Sequence, residues 1–98
     1  MKIEIIEYYP IKTTNKKSLR VGTMHVYIEN LDLDVRGIDV IKAKNSYIFH
    51  FPSRISVENG KKVRYPVISF ANKATQDKIK KVLHITANKY MREKNGSQ

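Results

Sequence analysis

The hydrophobic pattern of this 98-residue chain changes its period once, close to Asn72. Before that point apolar residues alternate with polar ones, as at Met24, Val26 and Ile28, which is the period of a half-buried strand. After it they recur at helical spacing as far as about Lys94. A run of strands followed by a helix is typical of the α+β class. The pattern therefore predicts an antiparallel sheet of about five strands with a long C-terminal helix.

Proline and glycine divide the first part of the chain into strands. Pro10 and Pro52 each end a strand pattern, because proline has no amide hydrogen to donate to a neighbouring strand. After Gly37 the apolar positions change parity, which predicts either a β-bulge or a turn between two short strands. Asn59-Gly60 is the strongest turn signal. The pattern predicts strands at residues 2–9, 19–29, 47–51 and 63–70, either one bulged strand or two short strands over residues 31–40, a turn at residues 13–18 and a loop at residues 53–62.

The predicted helix has a clear start and an apolar stripe. Asn72 is a good N-cap, because its side chain accepts a hydrogen bond from one of the first free amides. At 1.5 Å per residue the helix is roughly 34 Å long, whereas a domain of this size has a radius of gyration near roughly 13 Å. We therefore expect the end of the helix to overhang the sheet or to meet a partner. The predicted buried stripe is Thr75, Ile79, Val82, Leu83, Thr86 and Tyr90.

Length and composition indicate a single domain, residues 1–94, followed by a disordered tail at residues 95–98. No uncharged run approaches the roughly 20 residues that span a bilayer, and charged side chains interrupt the first residues where a secretory signal would be apolar. The absence of cysteine excludes disulfides and thiolate sites, and suits a reducing compartment. We expect a cytoplasmic protein that does not act on a membrane.

The distribution of charge indicates the class of partner. The chain has 19 Lys and Arg against 9 Asp and Glu, a net charge of +10. Residues 1–60 hold nine basic and seven acidic side chains, whereas residues 61–98 hold ten basic and two acidic ones. The excess therefore lies in the last third, which favours a polyanionic partner over an evenly basic, solubilising surface.

No pattern of residues indicates catalysis or metal binding. His25, His50 and His84 lie on two predicted strands and the helix, without the local spacing of a zinc site. Ser53 lacks the glycine context of a nucleophile, and the four glycines are isolated from one another, so no phosphate-binding loop is present in the sequence. We expect a non-catalytic protein with no cofactor, no metal and no small-molecule substrate.

Aromatic residues on the strands have two interpretations. Tyr47, Phe49 and Phe51 share the apolar face of one predicted strand, so core packing is favoured over base stacking. Tyr27 shares a polar face with Thr23 and is the aromatic side chain best placed to stack on a nucleic-acid base. The sequence leaves open whether it does.

The cations of the predicted helix fall on two flanks of the apolar stripe. One flank forms a row, and Ile85 lies within it as an exposed apolar residue. Lys80 and His84 lie on the opposite flank together with Lys73. Such a row is either a solvated face or a phosphate-binding surface, and the charge asymmetry favours the second. The row consists of Lys78, Lys81, Lys89 and Arg92.

Residues 35–83 resemble the stage V sporulation protein G (SpoVG, septation regulator) family, and the chain is identified as a divergent member. The strand Ile38-Asp39-Val40-Ile41 and the segment at residues 47–54 are similar to a family strand that leads into Pro-Ser-Lys. In the same order follow Glu58-Asn59-Gly60, Tyr65-Pro66-Val67 and a basic helix of the form Thr-x-x-Lys-Ile at residues 75–79. The order and spacing of these segments carry the resemblance.

The resemblance implies a homodimeric regulator of septation, sporulation or gene expression that binds DNA or RNA. It places nucleic-acid contacts after the Pro-Ser-Lys motif, at Arg54, Arg64, Lys73 and Lys78. A dimer that pairs strand edges would also bury apolar residues that one helix cannot cover. The alternative is a protein-interaction module that uses Ile85, the helix end and a strand edge without binding nucleic acid.

Overall fold

The computed structural model describes residues 1–11 and 19–96, so the turn predicted at residues 13–18 lies outside the described residues, as do the last two residues of the predicted tail. The α+β class is confirmed: an antiparallel sheet carries a C-terminal helix. The elements are β1 Ile3–Pro10, β2 Arg20–Ile28, a 3-10 turn Glu29–Leu31, β3 Leu33–Lys42, β4 Tyr47–His50, β5 Ser53–Glu58, β6 Lys61–Pro66 and α1 Lys73–Gly96.

The strands form two sheets rather than one. Strands β1 to β4 pair in chain order in an antiparallel sheet, and β5 and β6 form a separate hairpin. The prediction of a loop at residues 53–62 was therefore wrong. Asn59 and Gly60 have φ values of 52° and 75°, which is the left-handed pair that a two-residue hairpin turn requires. Because such a turn pairs the residues on both sides of it, the strands begin directly at Glu58 and Lys61.

The glycine bulge is confirmed as a feature of one continuous strand. Met24 pairs with Ile38 and Val26 pairs with Val35, so two residues of β3 lie opposite His25 alone. Gly37 is one of these two and has a φ of 80°, a conformation that glycine adopts without strain. The bulge restores the parity, so that the apolar residues on both sides of it reach the same core.

The predicted strand at residues 63–70 stops early. Strand β6 ends at Pro66, which pairs with Ser53 at the open end of the hairpin. Residues 67–72 then run as irregular backbone to the helix, and Ile68 and Phe70 pack against the core from this connection. The alternation at residues 67–70 therefore reflects a connection in which Ile68 and Phe70 are partly buried, rather than a strand.

The helix begins where the sequence predicts. The Thr75 amide donates to Asn72 Oδ1 at 3.2 Å, and the Gln76 amide donates to the Asn72 carbonyl at 3.1 Å, so Asn72 is the N-cap. The helix continues to Gly96 and thus includes the first two residues of the predicted tail.

The buried stripe of the helix differs in part from the predicted one. Ile79 and Leu83 are buried as predicted, whereas Ala87 and Met91 are buried and were not predicted. The four repeat every fourth residue, and each step of four advances about 40° around an α-helix. The stripe therefore winds round the helix as it crosses from β4 to β1. The predicted Thr75, Val82, Thr86 and Tyr90 are only partly buried.

The C-terminal part of the helix does not overhang the sheet, contrary to expectation. Met91 is 2% exposed, and the Lys94 ammonium lies 5.9 Å from the centre of the Tyr8 ring of β1. At the other end of the helix, Lys73 and Ala74 of the first turn are exposed. The molecule is 48 Å along its longest axis, so the helix fits within it.

Side chains of the helix complete the hydrogen bonds of β4, which is an edge strand. The side-chain amide of Asn88 accepts from the Tyr47 amide at 2.8 Å and donates to the Tyr47 carbonyl at 3.2 Å. His84 Nε2 accepts from the Phe49 amide at 3.5 Å, while its Nδ1 lies 2.9 Å from the Lys80 carbonyl. Side chains of α1 thus supply the hydrogen-bond partners that a neighbouring strand would otherwise give to two residues of this edge.

Candidate nucleic-acid interface

The predicted cation row lies on the outer face of the helix. Lys78, Lys81, Lys89 and Arg92 are all exposed. Their spacing places them opposite the buried stripe, because residues three and eleven apart share a helix face. None of the four is ion-paired to a carboxylate of residues 1–11 or 19–94. Ile85 lies among them with 61% of its surface exposed.

The two hairpin arginines are separated rather than brought together. Arg54 pairs across the hairpin with Tyr65, and Arg64 pairs with Ile55. Adjacent cross-strand pairs project to opposite faces of a two-stranded ribbon, so the two exposed arginines lie on opposite faces. On the Arg54 face, Tyr65 donates to the Glu58 carboxylate at 2.7 and 2.8 Å. Because residues 53–62 were predicted to be a loop, no hairpin register was available to separate the two arginines.

A groove of about 610 Å³ lies between β4, the open end of the hairpin and the first half of the helix. Arg64 lines it from the hairpin and Lys80 lines it from the helix. Lys80 was not among the predicted site residues, and it lines the same groove as the predicted cation Arg64. Its signal in the sequence is its position one turn before His84, which contacts β4. The lining residues are Ile48, Phe49, His50, Phe51, Pro52, Ser53, Arg64, Pro66, Ile68, Ser69, Phe70, Gln76, Lys80 and His84.

The aromatic residues of the predicted strand at residues 47–51 lie partly in the core and partly at the groove. Phe49 is 4% exposed, which confirms the core interpretation for this ring. It contacts the His84 ring edge-to-face, with ring centres 5.5 Å apart. Phe51 and Phe70 are partly buried and make a similar contact at 6.0 Å. Both of these rings also line the groove, so part of the aromatic surface is open to a ligand.

Most of the acidic residues lie on the four-stranded sheet rather than on the helix. Six of the nine lie in or between strands β1 to β3, at Glu4, Glu7, Glu29, Asp32, Asp34 and Asp39. Asp39 forms an ion pair with Arg20 at 3.1 Å. The helix segment from Lys73 to Lys94 carries seven Lys and Arg and two acidic residues. The charge asymmetry of the sequence is thus also an asymmetry between two surfaces of the molecule.

Tyr27 belongs to the acidic surface. Its hydroxyl donates to Asp32 Oδ1 at 2.6 Å. This hydrogen bond, together with nearby carboxylates, raises the pKa of Tyr27 above its ordinary value. By register it lies between Glu4 of β1 and Asp34 of β3. Because these carboxylates repel phosphates, Tyr27 is poorly placed to stack on a base of a bound nucleic acid.

The histidines occupy three separate environments. His25 is buried with Nε2 at 3.1 Å from Asp34 Oδ1, His50 is exposed, and His84 is bonded to β4 as described. Among residues 1–11 and 19–96, no group of three or more His, Asp or Glu side chains is arranged to hold a metal ion. In the same part of the chain, no helix combines the length and the apolar character needed to cross a membrane.

Comparison with known proteins gives no match, whether with family models, curated proteins or solved structures.

Proposed function

We propose that this protein is a non-catalytic, nucleic-acid-binding regulator that contacts phosphates through helix α1 and hairpin β5–β6. The observation that carries the proposal is the segregation of charge, with unpaired helix cations on one surface and most carboxylates on the other. Phosphate contacts supply most of the affinity of such proteins and require exposed Lys and Arg. The contacting residues are Lys73, Lys78, Lys81, Lys89 and Arg92 of the helix with Arg64 of the hairpin; Arg54, on the other hairpin face, is a peripheral contact.

The sequence resemblance to the stage V sporulation protein G family supports the same proposal. It adds a homodimer in the cytoplasm that acts on septation, sporulation or gene expression. In the described residues β1 and β4 are the two edges of the four-stranded sheet, and side chains of α1 hydrogen-bond two residues of β4. The dimer we propose therefore pairs the β1 edges of two copies, where Ile6 and Tyr9 are 45% and 54% exposed.

A titration with fluorescent DNA and RNA oligonucleotides at several salt concentrations tests the proposal. Each neutralised phosphate releases condensed counterions, so log affinity should fall with log salt by about 0.9 per contact on duplex DNA and about 0.7 on a single strand. No binding to DNA or RNA even at low salt would contradict the proposal.

A protein-interaction module is the second candidate, and Ile85 favours it. This side chain is 61% exposed and borders a shallow cleft of about 320 Å³ that includes Asn45 and Asn88. An exposed aliphatic residue beside a cleft is suited to a protein partner. An oligonucleotide titration without binding, combined with a partner lost on Ile85→Lys, would favour this candidate.

A further inference from the structure

The 610 Å³ groove combines features that a nucleotide requires. Its floor is apolar and aromatic, from Phe51, Phe70 and Ile68. Exposed cations border it from two different elements, Arg64 on β6 and Lys80 on α1. Small-ligand sites are concave, mostly apolar and about 300–1,000 Å³ in volume, with a few polar groups that orient the ligand. The groove matches that description.

The charge and shape of the groove select among occupants. Two cations from different elements suit a ligand with more than one anionic group, such as the phosphates of a nucleic-acid backbone. Aromatic rings on the floor suit a flat base, which stacks on Phe rings irrespective of its sequence. Ser53, Ser69 and Gln76 add side chains that hydrogen-bond base edges. A duplex keeps its bases inside the stack, so only an unpaired base enters a concave site.

We infer that the groove binds an unpaired base of a single-stranded nucleic acid, while the flanking phosphates contact Arg64 and Lys80. The base stacks against Phe51 and Phe70, and Gln76 donates to or accepts from its edge. This inference rests on the proposed function and specifies it: the helix row contacts backbone, and the groove takes a base. It predicts a preference for single strands over duplexes that phosphate contacts alone do not give.

The test compares three probes of equal length, about 12 nucleotides, which is within the site size of single-strand binders. They are single-stranded oligothymidylate, the same strand with abasic sites at its central positions, and the corresponding duplex. The intact and abasic strands carry the same phosphates, so their difference reports base contacts only. We expect the intact strand to bind about tenfold more tightly than the abasic strand, and more tightly than the duplex.

Variants locate the base contact. Phe70→Leu should bring the ratio of the affinities for the intact and the abasic strand close to one. Tyr65→Leu also removes an aromatic ring, but from the hairpin face opposite to Arg64, and should leave this ratio unchanged. Ser69→Leu narrows the groove from an exposed position and should act like Phe70→Leu, so a folding defect of the latter does not decide the result. Circular dichroism confirms that each variant is folded.

Each outcome decides one question. Equal affinity for intact and abasic strands would overturn the groove inference, yet salt-dependent binding of both would keep the proposed function. A preference that survives Phe70→Leu and Ser69→Leu, or that Tyr65→Leu abolishes, would place the base elsewhere and also overturn it. If polyglutamate binds as tightly as the intact strand, the groove is an acidic-peptide site instead. Failure of every nucleic-acid probe to bind would remove the proposed function itself.

Discussion

A single glycine controls how β1 packs on β2. A Cβ atom at Gly22 would lie 2.6 Å from Tyr8 ring atoms and 2.6 Å from the Tyr9 carbonyl oxygen. Tyr8 is 8% exposed, and its hydroxyl donates to the Val21 carbonyl at 3.0 Å. The ring therefore lies directly over the Gly22 backbone, and only a residue without a side chain leaves space for it.

We expect Gly22→Ala to destabilise the fold by about 1–3 kcal/mol, because the added methyl group forces the Tyr8 ring or the backbone to move. Urea unfolding measures this as a lower midpoint with an unchanged slope. Ser69→Ala, at an exposed position of the irregular connection, is the control and should leave the midpoint unchanged. A Gly22→Ala midpoint equal to that of the wild type would show that the close contact is absent in solution.

Among the elements, helix α1 supplies hydrogen-bond partners to the edge strand β4. Removing the amide of Asn88 leaves the amide and the carbonyl of Tyr47 without these partners in a partly buried setting. We expect Asn88→Ala to cost about 1–3 kcal/mol of unfolding free energy, measured by urea unfolding. The Tyr47 amide should also exchange its hydrogen faster.

Glu93→Ala is the matched control, since Glu93 is an exposed residue of the same helix. It should change neither stability nor exchange at Tyr47. Wild-type stability and exchange in Asn88→Ala would contradict the role of the helix as the cover of β4.

The elements that local chemistry specifies could be predicted from the sequence. The Asn72 cap, the Gly37 bulge and the end of β4 before Pro52 each depend on one residue and its neighbours. The burial of Ala87 and Met91 could not be predicted, because it depends on the angle at which α1 crosses the sheet. A prediction from a fixed helical period assumes that the angle between the helix and the sheet is zero.

The candidate site likewise has one part that could be predicted from the sequence and one part that could not. The exposed row on α1 follows from helical spacing alone and was predictable. The groove was not, because Arg64, Phe70 and Lys80 come from a hairpin, a connection and a helix. Their proximity depends on the hairpin register and on the path of residues 67–72, neither of which hydrophobic alternation specifies.

For the molecule as a whole, we expect a homodimer. Light scattering at micromolar concentration should give twice the chain mass of 11.4 kDa. Ile6→Lys places a charge in the β1 edge that we propose to pair, so it should shift the protein towards the monomer. Ile48→Lys, at a 40% exposed position of β4, is the control and should leave the dimer intact. A wild-type mass of 11.4 kDa would exclude the dimer.

The segregation of charge between the helix and the sheet predicts that the position of the cations, rather than the net charge of the protein, determines its affinity for nucleic acid. Lys78 and Lys81 lie on the outer face of α1, off the buried stripe, so Lys78→Gln with Lys81→Gln preserves the fold. Lys2→Gln with Arg36→Gln removes the same charge from exposed positions directly before β1 and within β3. The two double variants therefore differ only in which surface loses its cations.

The salt dependence of oligonucleotide affinity in these two variants is the most direct test. We expect the helix variant to bind every sequence more weakly and to flatten the slope of log affinity against log salt by about one to two units. The sheet variant should keep the wild-type slope. Equal losses in both variants, or a wild-type slope in the helix variant, would contradict a phosphate-contacting row on α1.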